Sequence, residues 1–217
     1  MTDAAPDAPD QPDNEPENGR IHILRTLYDL DLRIYERLSS PSSPRFDHTI
    51  AHLTNAANNS KLSMAMTATL AGVGGHRGRR AALAGISSVA LTSAVANLLV
   101  KPLAQRPRPR RLASHRNDPV GTHHVTMPSS HSYPSGHTAA AFAFATGVSR
   151  IWPSAASVPF GVATAVGYSR VNTGVHFPSD VALGAVLGIG LGVLCGQVVK
   201  RRAPAELRIL SHTIDIS

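Results

Sequence analysis

Three short clusters hold the residue types that phosphoryl chemistry requires. The first is Lys101 followed by Arg106, Arg108, Pro109, Arg110 and Arg111; the second is Pro134-Ser135-Gly136-His137; the third is Ser169-Arg170 with Gly174, His176 and Asp180 after it. Lys101, Arg108 and Arg170 together suit a dianionic phosphate, the arginines as planar bidentate donors and the lysine as a point charge. Ser135 and Gly136 stand at a helix start, where free backbone N–H groups and the helix dipole favour an anion. Gly136 also lets a ligand approach the backbone closely. His176 and Asp180 are four residues apart, with Pro178 suited to the first turn of a new helix. Asp180 then turns back to one imidazole nitrogen and leaves the other as a nucleophile. His137 is a second histidine, available to protonate a leaving oxygen. Two histidines, one carboxylate and three cations make a phosphoryl-transfer site that needs no metal. Singly, each piece has a plainer reading: a structural histidine, a solvated basic loop over Arg106–Arg116, a chance tetrapeptide. Their order between apolar segments makes the set specific.

Those segments emerge from the charge pattern. The chain has 217 residues, 42% hydrophobic and 16% charged, with a formal net charge of +7. Between His48 and Pro204 the only acidic residues are Asp118 and Asp180. The basic residues there are clumped, leaving uncharged runs at Ala81–Val100, Ile151–Ser169 and Val181–Val199, with shorter ones at Thr138–Ser149 and Leu62–Gly75. A helix crossing a bilayer needs about 20 apolar residues. Traced alternately across a bilayer, these runs bring the three clusters to one membrane face. A soluble helical protein would show charged faces on helices this long. The glycines at 184, 188, 190, 192 and 196 fit close helix packing in lipid. Residues 21–38 interleave Ile, Leu and Tyr with Arg, Asp and Glu, which predicts an amphipathic helix lying on the membrane or packed on the bundle. The run Ser39–Pro44 breaks it, and a second helical stretch is expected over Phe46–Asn58.

The expected architecture is an all-α, membrane-embedded bundle with about five transmembrane helices and an N-terminal amphipathic helix. Four parts are anticipated: a disordered acidic, proline-rich tail (1–19), an amphipathic helical region (20–60), the membrane-embedded domain (61–203) and a C-terminal tail (204–217). The first 19 residues have neither the basic nor the apolar region of a signal peptide. A single cysteine, Cys195, excludes an internal disulfide framework and a cysteine-based zinc site, and is expected to serve packing. Aromatic residues make up 5%, thin for a base-stacking nucleic-acid binder.

The pattern Lys-x6-Arg-Pro at 101–109, Pro-Ser-Gly-His at 134–137 and Ser-Arg-x5-His-x3-Asp at 169–180 resembles the three-part signature of the type 2 phosphatidic acid phosphatase superfamily. These are the lipid phosphate phosphatases, related to bacterial acid phosphatases and vanadium haloperoxidases. The resemblance covers about 62–199 and includes every signature position. It implies metal-free hydrolysis of a phosphomonoester or diphosphate, with no cofactor. It also implies roles: His176 attacks phosphorus and becomes a phosphohistidine, Asp180 orients it, and His137 protonates the leaving alkoxide. Lys101, Arg108, Ser135, Gly136 and Arg170 would hold the phosphate oxygens. Membrane members usually have six spans; here the first is replaced by the amphipathic helix. The chain also resembles the phosphatase half of proteins that fuse this module to a lipid kinase.

The expected partners are a phosphorylated lipid and the bilayer, with no nucleic acid; an oligomer is compatible with the sequence. Polyprenyl phosphate or diphosphate, phosphatidic acid and phosphatidylglycerol phosphate are the candidate substrates. The segment 110–133 is the place to expect specificity. A metal site from His123, His124 and His131 matches no familiar ligand spacing. With the site's own cations set aside, the clusters His76–Arg80, Arg150 and Lys200–Arg202 place the site outside the cytoplasm of a multi-pass cell-membrane protein. The competing readings are a haloperoxidase or soluble acid phosphatase of the same superfamily, and a non-enzymatic scaffold for anionic lipid.

Overall fold

A computed structural model describes residues 15–39, 43–109, 125 and 128–202, and every regular element among them is helical. The acidic segment up to residue 14, most of the 110–133 loop and the C-terminal tail lie outside the described residues. Helix α1 spans Glu15–Ser39 and α2 Pro44–Ala56. Ser43 caps α2 by accepting from the Phe46 N–H, and Pro44 takes the first turn, where a missing N–H costs nothing. A short turn at Asn58–Ser60 leads to α3, Lys61–Val73. Helix α4 covers Gly75–Val95 and continues through a π-helical turn, Ala96–Val100, into Lys101–Leu103. Then come α5 (Gly136–Ile151), α6 (Ser157–Asn172) and α7 (Pro178–Arg201).

Helix α5 is the central rod. Ala139, Ala143, Phe144, Ala145 and Val148 are fully buried along it, which removes any face for charge. Helix α7 lies against it through a stripe of glycines. A Cβ on Gly184 would stand 2.6 Å from the Ser135 carbonyl oxygen, one on Gly188 2.2 Å from that of Ala139, and one on Gly192 2.8 Å from that of Ala143. No side chain fits there, so the backbones touch along three turns. Contact this close gains dispersion energy without requiring large apolar side chains. Helix α4 packs on another side of α5, with Gly85 against the Phe144 ring and Gly147 against Ala84.

Among the described residues two helices are long and apolar enough to cross a membrane: Gly75–Leu103, 29 residues, and Pro178–Arg201, 24 residues. Their outward faces carry exposed Leu83, Leu98, Leu99, Val186, Ile189, Leu194 and Val198. Helices α5 and α6 have 16 residues each and α3 has 13. At 1.5 Å per residue, 16 residues reach about 24 Å, short of a hydrocarbon core of about 30 Å. The uncharged runs are therefore all helical, but they differ in length and in how much outer surface they present.

Helix α1 begins at Glu15, inside the segment expected to be disordered, and it packs on the bundle. Tyr35 is buried with Val171 and Phe177, flanked by Leu32, Leu38 and Val181. Asn172 Nδ2 donates to the Leu38 carbonyl at 2.9 Å, fixing the end of α1 against α6. Leu27, Tyr28, Leu30 and Ile34 remain exposed on α1.

Candidate active site

The C-terminal ends of α4 and α6 and the N-terminal ends of α5 and α7 meet at one end of the bundle. The π-helical turn precedes Lys101, whose Nζ donates to Asn97 Oδ1 at 2.8 Å. That ammonium stands over the start of α5, 3.7 Å from where a Cβ on Gly136 would lie. Ser135, fully buried, is the N-cap of α5; its N–H donates to the Asp180 carbonyl at 3.0 Å and its Oγ bonds Thr138 Oγ1 at 2.9 Å. The chain leaves α6 through Gly174, at φ +70°, a left-handed conformation that glycine adopts without strain. This turn folds Val175 and His176 back, so that both N–H groups donate to the Arg170 carbonyl. Arg170 and His176 end up buried side by side, at 1% and 2% exposure.

The His176–Asp180 pair faces as the spacing predicts. Nδ1 lies 3.5 Å from Asp180 Oδ2, at the outer limit of a hydrogen bond, and has no hydrogen-bond partner among the described residues. Catalytic hydrogen bonds are often long before substrate arrives. Asp180 is fixed by two other donors: the Phe177 N–H to Oδ2 at 2.9 Å and Arg106 Nη1 to Oδ1 at 2.9 Å. Nε2, on the far side of the ring, is 3.2 Å from Arg108 Nη1. Burial, opposed by Asp180 and reinforced by Arg108 and Arg170, pushes the His176 imidazole down to about 4. At neutral pH the ring is therefore uncharged, with a lone pair to offer.

The cations are set differently. Arg108 is braced by backbone: Nε donates to the Ser130 carbonyl, Nη1 to that of Val175 and Nη2 to that of His131. Arg170 Nε and Nη1 have no hydrogen-bond partner among the described residues, although the side chain is buried. His137 opens with Lys101 and Gly136 onto a cavity of about 220 Å³, whose farther wall includes Leu62, Met66, Val162 and Val166. Thus Lys101, Arg108, Ser135, Gly136, His137, Arg170, His176 and Asp180 all gather at this end. Of the histidines weighed for a metal, His123 and His124 fall outside the described residues, while His131 takes part through its backbone.

Two contributors escape a reading by motif. Arg106, placed among the loop arginines by sequence, bridges Asp180 and Asp31, and Asp31 comes from α1. Charge accounting points part of the way: a basic run with almost no acids nearby must find a carboxylate elsewhere. Nothing in the local sequence singles out Asp31.

Residues 81–204 match the family model of the PAP2 superfamily. The chain belongs to that superfamily. A PAP2 relative from Mycobacterium tuberculosis strain H37Rv, decaprenylphosphoryl-5-phosphoribose phosphatase, is 32% identical over 111 residues, 51% of this chain and 58% of the relative. The chain thus spans little more than half the length of that relative. Lipid A 1-phosphatase of Porphyromonas gingivalis is 46% identical over 69 residues, 29% of this chain and 15% of the relative. The PAP2 fold is shared with two crystal structures. Aquifex aeolicus LpxE superposes with a TM-score of 0.54 at 24% identity, covering 76% of this chain and 94% of that one. The transmembrane PAP2 type phosphatidylglycerolphosphate phosphatase of Bacillus subtilis gives 0.58 at 22%, covering 82% and 88%.

Proposed function

We propose that this PAP2 chain is an integral-membrane, metal-independent lipid phosphate phosphatase working through a phosphohistidine. The observation that carries the reading is Arg170: a buried guanidinium with two nitrogens unpartnered among the described residues, near two histidines. An uncompensated buried cation costs several kcal/mol, and a phosphate dianion supplies the missing partner.

The phosphate is held by Arg170, Arg108 and Lys101 and by the N–H groups at the start of α5. Arg108 Nη1 transfers its hydrogen bond from His176 Nε2 to a phosphate oxygen, which frees the lone pair. Nε2 attacks phosphorus as the bond to the leaving oxygen breaks, and the imidazole Nδ1–H is stabilised by Asp180. Burial and the neighbouring cations push the His137 imidazole down to about 3 in the free site; the bound phosphate dianion offsets those cations, so His137 takes up a proton as the substrate binds and gives it to the leaving alkoxide. A water then donates its proton to His137 and attacks phosphorus; the P–N bond breaks and inorganic phosphate leaves. Preorganised donors around such a transition state typically contribute about 10²–10³-fold in rate each.

The exposed apolar faces of α4 and α7 support a multi-pass bundle in lipid, with α1 at the interface. The cavity beside His137 is where the leaving group would lie. The substrate is a phosphomonoester or diphosphate of a lipid: a polyprenyl carrier, phosphatidic acid or phosphatidylglycerol phosphate. The basic ends opposite the site support an extracytoplasmic active face.

The test is phosphate release by detergent-purified protein in EDTA over a panel of these lipids, with His176→Ala beside it. Release from one lipid, absent in the variant and blocked by vanadate, is expected. Activity persisting in His176→Ala, or lost in EDTA and restored by a divalent ion, would overturn the mechanism.

A further inference from the structure

Asp31, on the bundle-facing side of α1, is 7% exposed. Its Oδ2 accepts from Arg106 Nη2 at 2.7 Å and from Ser179 Oγ, and its Oδ1 from the Ser179 N–H at 2.9 Å. Arg106 Nη1 in turn donates to Ser179 Oγ at 2.6 Å and Asp180 Oδ1 at 2.9 Å. The guanidinium lies 4.1 Å over the Phe177 ring, which packs at a tilt on Tyr35 of α1. An arginine bound to Asp180 alone could rotate about that one contact. With its second nitrogen held by Asp31 and its face held by Phe177, the fork has one orientation. The planar, multidentate geometry of arginine is what makes such a bridge directional.

We infer that Asp31 is a positioning residue for the Asp180–His176 pair, acting through Arg106 and Ser179, so that α1 is part of the catalytic apparatus. The inference rests on His176 being the reacting group. A merely structural Asp31 would staple α1 to the bundle and affect stability alone.

The experiment uses the full chain in detergent micelles, with Asp31→Asn, Asp31→Glu and Ser179→Ala, and Arg33→Gln on the exposed side of α1 as control. Two readouts are taken on folded protein, checked by thermal melting: kcat against KM, and the tautomer of His176 from ¹⁵N-histidine spectra assigned with His176→Ala. Asp31→Asn is expected to lower kcat about 10- to 100-fold, the usual effect of a partner behind a directly acting group, with KM little changed. It should also mix the imidazole tautomers. Ser179→Ala, which keeps both charges and is the milder change, should shift both readouts in the same direction by less. Asp31→Glu should recover part of kcat, and Arg33→Gln should match wild type. Folded Asp31→Asn and Ser179→Ala with wild-type tautomer and kcat would overturn the inference. If the wild type releases no phosphate from any lipid, the phosphatase reading fails, and the tautomer comparison alone decides whether Asp31 positions His176.

Discussion

On one side of His176, the Asp180 carboxylate accepts from the Phe177 N–H and from Arg106, and the far end of Arg106 is taken up by Asp31. Arg170, whose carbonyl accepts from the His176 N–H, is equally buried yet keeps Nε and Nη1 without a partner among the described residues. Both sides place charge in the interior, where leaving it unpaired is costly. One spends its charges on each other and gains a fixed geometry. The other leaves two guanidinium nitrogens without a partner among the described residues, the capacity that the proposed phosphate would meet. Rigidity and open hydrogen-bonding capacity thus meet in one site beside a single imidazole ring.

Removing the Asp180 carboxylate attacks the fixed side most directly. Asp180→Asn keeps the shape but takes away the charge that orients the ring and stabilises it as it becomes cationic, and kcat should fall by about 10²–10⁴-fold in a phosphate-release assay. Next, the two sides should separate in stability. Arg170→Met removes a cation with two nitrogens unpartnered among the described residues, so vanadate affinity and activity should drop about 10²-fold or more while the melting temperature holds or rises. Arg106→Met leaves two buried carboxylates facing each other and should destabilise by about 3 kcal/mol, read as a lower melting temperature. If both substitutions lowered stability alike, the distinction would collapse. A smaller effect is in pH. Because burial sets the His176 imidazole near about 4, its titration in ¹⁵N spectra should show neutral ring from pH 8 down to about 5 and protonation only below. Asp180→Asn, which removes the group pulling the value up, should lower the midpoint further. The mildest contrast lies away from the chemistry. Gly190 has open space where a Cβ would go, and Ala there should be neutral to slightly stabilising; Gly188→Ala meets the Ala139 backbone and should cost about 1–3 kcal/mol.

How far the sequence reveals this arrangement depends on how local each interaction is. His176 and Asp180 sit one helical turn apart, so their meeting follows from a four-residue spacing. The convergence of Lys101, Ser135 and Arg170 follows from helices that alternate in direction. Asp31 is different: it is one of several acids on an amphipathic helix, and only the docking of α1 selects it as the partner of Arg106. An uncharged run also does not separate a lipid-facing helix from one encased by its neighbours. Helix α5 is the instance: its run is uncharged, yet Phe144 and Val148 are fully buried in protein.

The π-helical turn at Ala96–Val100 carries one residue more than an α-helical path would need. Each residue rotates an α-helix by about 100°. Five residues in a π-helical turn sweep about the same angle as four in an α-helix, so the extra residue is absorbed there and Lys101 keeps the phase of the α-helix before it. Had the extra residue been carried in plain α-helix, composition, hydropathy and all three motifs would be the same, with only the direction of Lys101 changed. In this chain the turn between Asn97 and Lys101 is therefore as much a part of where the lysine points as the lysine itself.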